Sequence, residues 1–174
     1  ISGDTLVIGA EGEDSNATTV NGDGANNLAS DAGAAYVFVR NNGAWTQHAY
    51  LKASNAGAGD VFGSSVAVSA DTIMIGARRE DSNATTVNGN GADNSTSDAG
   101  AAYVFVRNNG VWTQQAYLKA GNSGIQDFFG IAVAVSGETA LIGASGENSN
   151  AVGVNGDGAN NTLQFAGAAY IFVR

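Results

Sequence analysis

The sequence predicts an all-β fold: β-propeller blades of four antiparallel strands arranged as one repeat array. Three observations carry that expectation. A 67-residue pattern recurs, joining Gly9 to Gly76 and Gly143, Tyr36 to Tyr103 and Tyr170, Trp45 to Trp112, and Phe62-Gly63 to Phe129-Gly130. A period of this size marks stacked supersecondary units, each too small to bury both its faces alone. The apolar runs are short, rich in β-branched and aromatic residues, bounded by Gly, Asn and Asp, and show no helical period. Each unit holds four such runs, with small side chains in one and aromatics in another, as a propeller blade requires.

The 174 residues make about 2.6 units (174/67). The expected frames are 1–61 as a partial blade, 62–128 as a full blade and 129–174 as a second partial blade, giving three, four and three strands.

The elements follow in order. Asp4 to Ala10 is a β-branched run that reads as a strand buried on both faces. Residues 11–32 carry almost no apolar side chain, and an irregular segment of that length inside a compact unit tends to be functional. Ala34 to Arg40 is a strand with Tyr36 and Phe38 on one face and Val37 and Val39 on the other. Asn41-Asn42-Gly43 is hairpin turn chemistry leading into Trp45 to Lys52. There Thr46, His48 and Lys52 suggest an outer strand with a wetter side. Phe62 to Ser69 is built from small residues and is expected nearest the crowded axis, and Ala70-Asp71 turns directly into the second copy of the first strand.

Bulk composition excludes several classes. Sixteen acidic against seven basic residues give a net charge of −9, so a phosphate backbone would be repelled and nucleic acid is not an expected partner. With no Cys there is no disulfide framework and no cysteine nucleophile or metal site. No apolar run approaches the roughly 20 residues of a membrane-spanning helix. The chain lacks an initiator Met and starts within a repeat, which reads as a mature or excised segment. The single histidine, His48, has Gln115 one period later, and no nucleophile, base and oxyanion donor can be assembled from the remaining residues, so no enzyme is expected. Trp45, Trp112, Tyr50 and Tyr117 could stack on sugars, but their repetition favours packing between blades.

Phe62-Gly63-Ser64-Ser65-Val66-Ala67-Val68 followed by Ile73-Met74-Ile75-Gly76-Ala77, and Phe129-Gly130 with Leu141-Ile142-Gly143-Ala144, resemble FG-GAP repeats, the blade repeats of the integrin α-subunit propeller and its bacterial relatives. The resemblance covers the whole chain. It implies a secreted or cell-surface protein, bacterial in type, that serves adhesion or protein contact. The Pro that often follows Gly-Ala in the family is Glu11, Arg78 and Ser145 here. The family's calcium loop between first and second strands is also replaced, by the short connections Ser69-Ala70-Asp71 and Ser136-Gly137-Glu138.

A string similar to that calcium loop, with Thr in place of its first Asp, occurs instead at Thr19 to Asn27 in the long loop. Calcium takes six to eight oxygens, several of them carboxylate. Candidate ligands are Asp14, Asn21, Asp23, Asn27 and Asp31 in loop one, Asp81, Asn88, Asn90, Asp93 and Asp98 in loop two, and Asn155, Asp157 and Asn161 in loop three. In loop three Asn148 and Phe165 replace the flanking acids, so affinity is expected to fall from the first loop to the third. The competing reading is that these Asx and Gly residues are turn formers.

The functional expectation is a non-enzymatic binding module with the long loops as its rim, for a protein or glycan ligand. Two alternatives stand beside it: a carbohydrate-binding lectin, and a structural unit whose incomplete blades pair between chains. The corresponding partners are copies of the chain in a homo-oligomer, or further blades of a longer chain.

Overall fold

The structure, a computed structural model, describes residues 1–173, so Arg174, the third of the recurring strand-end arginines, lies outside the described residues. It comprises ten strands and, among the described residues, no helix. The first antiparallel sheet is β1 (Thr5–Ala10), β2 (Ala34–Asn41) and β3 (Ala44–Leu51) in that order. The second is β4 (Phe62–Ser69), β5 (Thr72–Ala77), β6 (Ala101–Asn108) and β7 (Val111–Leu118). The third contains β8 (Phe129–Ser136), β9 (Thr139–Ala144) and β10 (Ala168–Val173). The three sheets are propeller blades packed face to face, with β4 lying against β1 and β8 against β4 and β5.

Local chemistry explains the connections. Asn42 and Gly43 both have positive φ, at 50° and 83°, and join Asn41 to Ala44 across a two-residue turn of the kind whose twist suits a hairpin. Asn109 and Gly110 repeat it at 50° and 81°. At the turn before β5, Asp71 accepts Arg107 Nε at 2.7 Å and the Arg107 backbone N–H at 2.9 Å, and Asp4 holds Arg40 in the same way.

The Phe-Gly pair performs two separate tasks. Phe62 is fully buried, edge-on to Tyr103 and Phe105 of its own blade at centroid separations of 5.3 and 6.1 Å. Gly63 sits at φ +94°, where the β4–β5 register skips from Phe62 to Ser65, and a Cβ there would lie 2.3 Å from the Ala34 carbonyl oxygen of the preceding blade. The residue after the Phe must therefore be Gly, for both conformation and space.

Blades meet backbone to backbone. A Cβ added to Gly9 would lie 1.9 Å from the Gly63 carbonyl oxygen, and one on Gly76 would lie 1.9 Å from that of Gly130. Single parallel bridges, Gly33 to Phe62 and Gly100 to Phe129, complete each seam. Around the seams lie two apolar cores. One packs Val7, Val37 and Leu51 against Ile73, Phe105 and Trp112, and the other packs Met74, Ala102 and Leu118 against Phe129 and Ile142. Trp112 of the second sheet is 2% exposed, whereas Trp45 of the first is 38% exposed.

Two strand readings change. The first strand, expected to be buried on both faces, buries the Thr5 and Val7 face and leaves Ile8 47% exposed on the other. Lys52 was expected on the wetter side of an outer strand, but it follows β3 and is buried, as is Lys119 after β7. Each is turned inward to a carboxylate beneath a long loop.

Candidate functional site

The long loops, residues 11–33, 78–100 and 145–167, leave β1, β5 and β9 and enter β2, β6 and β10. Antiparallel pairing places these ends beside the segment that runs from each blade to the next. Gly59, Val61 and Phe62 donate backbone N–H groups to Ser30, Asp31 and Ala32 carbonyls at 2.8, 3.0 and 3.1 Å, and Gln126, Phe128 and Phe129 repeat this on Ser97, Asp98 and Ala99. The loops therefore share one rim, and the first two are zipped to the start of the following blade.

Under loop two lies a buried polar cluster. Lys119 Nζ donates to Glu80 Oε2 and to the Ser82 carbonyl, both at 2.9 Å. Glu80 Oε1 accepts Tyr117 Oη at 2.8 Å and Asn55 Nδ2 at 3.0 Å, while Oε2 also accepts the Ser82 N–H and hydroxyl. Asn55 comes from the segment entering the blade; it also donates to the Gly91 carbonyl at 2.9 Å and accepts Tyr103 Oη at 2.8 Å.

Glu80 is 1% and Lys119 2% exposed. A charge removed from water to this degree needs a partner and further hydrogen bonds, and the cluster supplies both. Burial pushes the Lys119 ammonium below its ordinary range, with Glu80 opposing that shift, and burial lifts the Tyr103 and Tyr117 hydroxyls, keeping them donors. Asp60 rises to about 7, chiefly through burial; the Gly57 N–H pulls it down, and Glu80 and Asp81 push it up.

The cluster recurs with its membership changed. In loop one Lys52 Nζ donates to Glu13 Oε2 at 2.9 Å and to the Ser15 and Gly33 carbonyls at 2.7 Å. In loop three Glu147 accepts Asn122 Nδ2 at 2.9 Å and the Ser149 hydroxyl at 2.9 Å, and Asn122 accepts Tyr170 Oη at 2.7 Å.

The candidate calcium ligands are distributed along the loops, and several of them serve backbone donors. Asp14 Oδ1 accepts the Asp31 N–H, and Asp81 Oδ1 the Asp98 N–H, both at 2.8 Å; Asn148 does the same for Phe165. Asn21 and Asn88 accept the Tyr50 and Tyr117 N–H groups at 2.9 Å. Asp23, Asn90 and Asp157 close local turns on Ala25, Ala92 and Ala159. Asp93 accepts from Ser95 and Asn83. Asn27, Asn155 and Asn161 are exposed, and Asp31 and Asp98 hold positive φ at 52° and 54°.

Among the described residues no three acidic or histidine side chains converge as a metal shell would need. The engaged oxygens, those of Asp14, Asn21, Asp81 and Asn88 among them, point at separate N–H groups instead of at one centre, whereas a calcium shell converges six to eight oxygens.

Fixed in this way, the loops present apolar side chains to solvent. Leu28, Val87, Val152, Val154, Leu163 and Phe165 are all exposed, Val154 at 93% and Phe165 at 67%. Composition and alternation place Lys52 on a wetter strand face and assign nothing to Lys119 or to the buried Glu80 and Glu147. Their signal was present in the period itself, since Glu13, Glu80 and Glu147 are spaced 67 apart, as are Lys52 and Lys119.

The FG-GAP repeat family model matches residues 45–105 and 112–172. Each match runs from the outer strand of one blade through the first three strands of the next, across the seam. No curated protein matches the chain.

Proposed function

Since the chain belongs to the FG-GAP repeat family, with more than half its length matched, we propose that it is a non-enzymatic, secreted or cell-surface binding module whose long loops recognise a protein. The observation that carries this reading is the exposure of Val152, Val154, Leu163 and Phe165 on a loop whose backbone is closed by Asn148 and anchored by Glu147. Apolar side chains held outward on a fixed frame lose little conformational freedom on binding, and grouped apolar exposure of this kind marks a contact surface.

Catalysis is not part of the reading, because the buried ionisable groups Glu80 and Lys119 satisfy one another out of reach of a substrate. Calcium is not part of the reading either: Asp14, Asn21, Asp81 and Asn88 serve backbone N–H groups.

The test is solid-phase binding of the chain to immobilised fibronectin, fibrinogen, collagen and mucin, in parallel with a glycan array. Saturable binding to a protein that falls at least tenfold in the combined Val152→Ser, Val154→Ser, Phe165→Ser variant supports the reading. Binding that free sugar abolishes would replace it with the lectin alternative. Protein binding left intact by the triple substitution would remove loop three from the site.

A further inference from the structure

The second blade brings a lysine, a glutamate and an asparagine together from three separate segments. Glu80 stands near the start of the second long loop, Lys119 follows β7, and Asn55 lies in the segment leading to β4. Lys119 Nζ donates to Glu80 Oε2 at 2.9 Å, and Asn55 Nδ2 donates to Glu80 Oε1 at 3.0 Å. Groups bonded to the two oxygens of one carboxylate are neighbours, so an amine and a carboxamide lie side by side on Glu80. Among the described residues the flanking blades assemble only part of the set, Lys52 with Glu13 in the first and Asn122 with Glu147 in the third.

Each member is arranged as acyl transfer requires. The Asn55 carboxamide is fixed at both ends: Nδ2 also donates to the Gly91 carbonyl at 2.9 Å, and Oδ1 accepts the hydroxyl of the fully buried Tyr103 at 2.8 Å. A buried phenol on a carbonyl oxygen is an oxyanion donor already in place. Besides Glu80, Lys119 Nζ has one acceptor among the described residues, the Ser82 carbonyl at 2.9 Å. Lys52, by contrast, gives away all three N–H groups, to Glu13, Ser15 and Gly33. The third position on Lys119 is thus open, and burial favours the uncharged, nucleophilic form of this amine.

We infer that Lys119 and Asn55 join in an intramolecular amide, with loss of ammonia and with Glu80 as the proton carrier. Glu80 first takes a proton from the Lys119 ammonium, which turns a buried ion pair into two neutral groups. The long lysine stem swings the Nζ lone pair to roughly 3–3.5 Å from Asn55 Cγ, the distance at which attack begins. As the Nζ–Cγ bond forms, the carbonyl electron pair moves onto Oδ1, opposite the Tyr103 hydroxyl. Collapse of this intermediate restores the carbonyl and breaks the Cγ–Nδ2 bond. Of the three ammonium protons, one stays on the new amide, one passes through Glu80 to Nδ2 and departs in ammonia, and one remains on Glu80. Atoms and charge therefore balance without a co-reactant. The bond ties the segment entering β4 to the end of β7, closing the second sheet into a covalent ring that restricts the unfolded chain as a disulfide does. No external substrate takes part, so the binding function proposed for the rim is independent of it.

The experiment is the intact mass of the purified whole chain, followed by tryptic digestion and tandem mass spectrometry. The expected mass is that of the sequence less one ammonia. The digest should contain residues 53–78 joined to 108–174 through Asn55 and Lys119, with cleavage after Lys119 lost. Glu80→Gln and Lys119→Met chains should keep the full mass, and Tyr103→Phe, which preserves the packed ring, should leave at least tenfold more unjoined chain than the parent. Because the first readout is the parent itself, failure of a variant to fold does not blur the outcome. A folded parent chain that holds its full mass through prolonged incubation overturns the inference. So does an ammonia loss that survives Lys119→Met, or one that maps within a single peptide, the mark of a succinimide at an Asn-Gly pair.

Discussion

Placing a methyl group at Gly76 sets one blade against the next at the point of closest approach. The added Cβ would lie 1.9 Å from the Gly130 carbonyl oxygen and 2.4 Å from Ser65 Oγ. The serine can rotate, at the loss of its 2.7 Å bond to the Gly130 carbonyl, but that carbonyl belongs to the backbone of β8. Relief therefore needs the seam to open by roughly 1.5 Å, far more than dispersion contacts tolerate. Gly76 has no positive φ, so Ala suffers no conformational penalty, and the loss is purely steric.

Overpacking costs about 1–3 kcal/mol where side chains can yield. With backbone on both sides we expect Gly76→Ala to cost at least about 3 kcal/mol, or roughly 6–12 °C in Tm for a chain of this size. The control is Gly143→Ala, one period on, where the nearest atom is Ala132 Cβ at 3.6 Å. There Ala should be neutral or add about 0.4–1 kcal/mol by restricting the unfolded chain. Urea unfolding of both variants at one protein concentration gives the comparison. If Gly76→Ala loses no more than Gly143→Ala, the backbone seam does not hold the blades together.

Glu80→Gln should cost about 3–5 kcal/mol, because it strands the Lys119 ammonium in the interior, whereas Lys119→Met should cost less because Tyr117, Asn55 and Ser82 still serve the carboxylate; chemical denaturation ranks the two. Trp112→Ala should cost about 3–5 kcal/mol and Trp45→Ala under about 1 kcal/mol, a difference that thermal unfolding resolves. Asp60, raised to about 7 in the folded state from 3.8, binds its proton more readily when folded, so its contribution is fully present below 3.8 and is lost as pH rises through 7. Relative to Asp60→Asn, the parent chain should therefore gain up to about 2.7 kcal/mol between pH 7 and pH 5, at 1.36 kcal/mol per pH unit, and parallel stability curves for the two proteins would refute this. Adding calcium or a chelator should leave Tm within about 1 °C, since a ligand that does not bind the native state cannot stabilise it.

The strands were legible because β-branched and aromatic runs recur at fixed spacing, and the hairpin because Asn-Gly accepts two left-handed residues. The irregular points were less so. Val61 and Phe128 adopt φ of 53° and 54°, against the preference of bulky side chains, because their N–H groups are claimed by Asp31 and Asp98 of the loop beside them. No local signal announces a conformation imposed by a distant partner. Lys52 failed for a related reason: alternation along a strand says which side a residue faces, not whether a carboxylate waits there, and Glu13 lies 39 residues away. In the loops, the Asx and Gly content correctly indicated turns but left ion ligand and turn acceptor indistinguishable, because both use the same oxygen. At Asp14, Asn21, Asp81 and Asn88 it is the direction of Oδ1, toward a particular N–H, that separates them.

The glycine seams have a consequence for how such proteins change over time. Where Gly9 meets Gly63 and Gly76 meets Gly130, the closest contact is backbone against backbone, which carries little to encode which blade belongs beside which. Neighbours are thus interchangeable parts with one shared fitting, and duplication of a unit yields a joint that already works. Selection on the rim can then proceed loop by loop, as the divergence of residues 145–167 from their two counterparts already displays, without renegotiating the scaffold beneath.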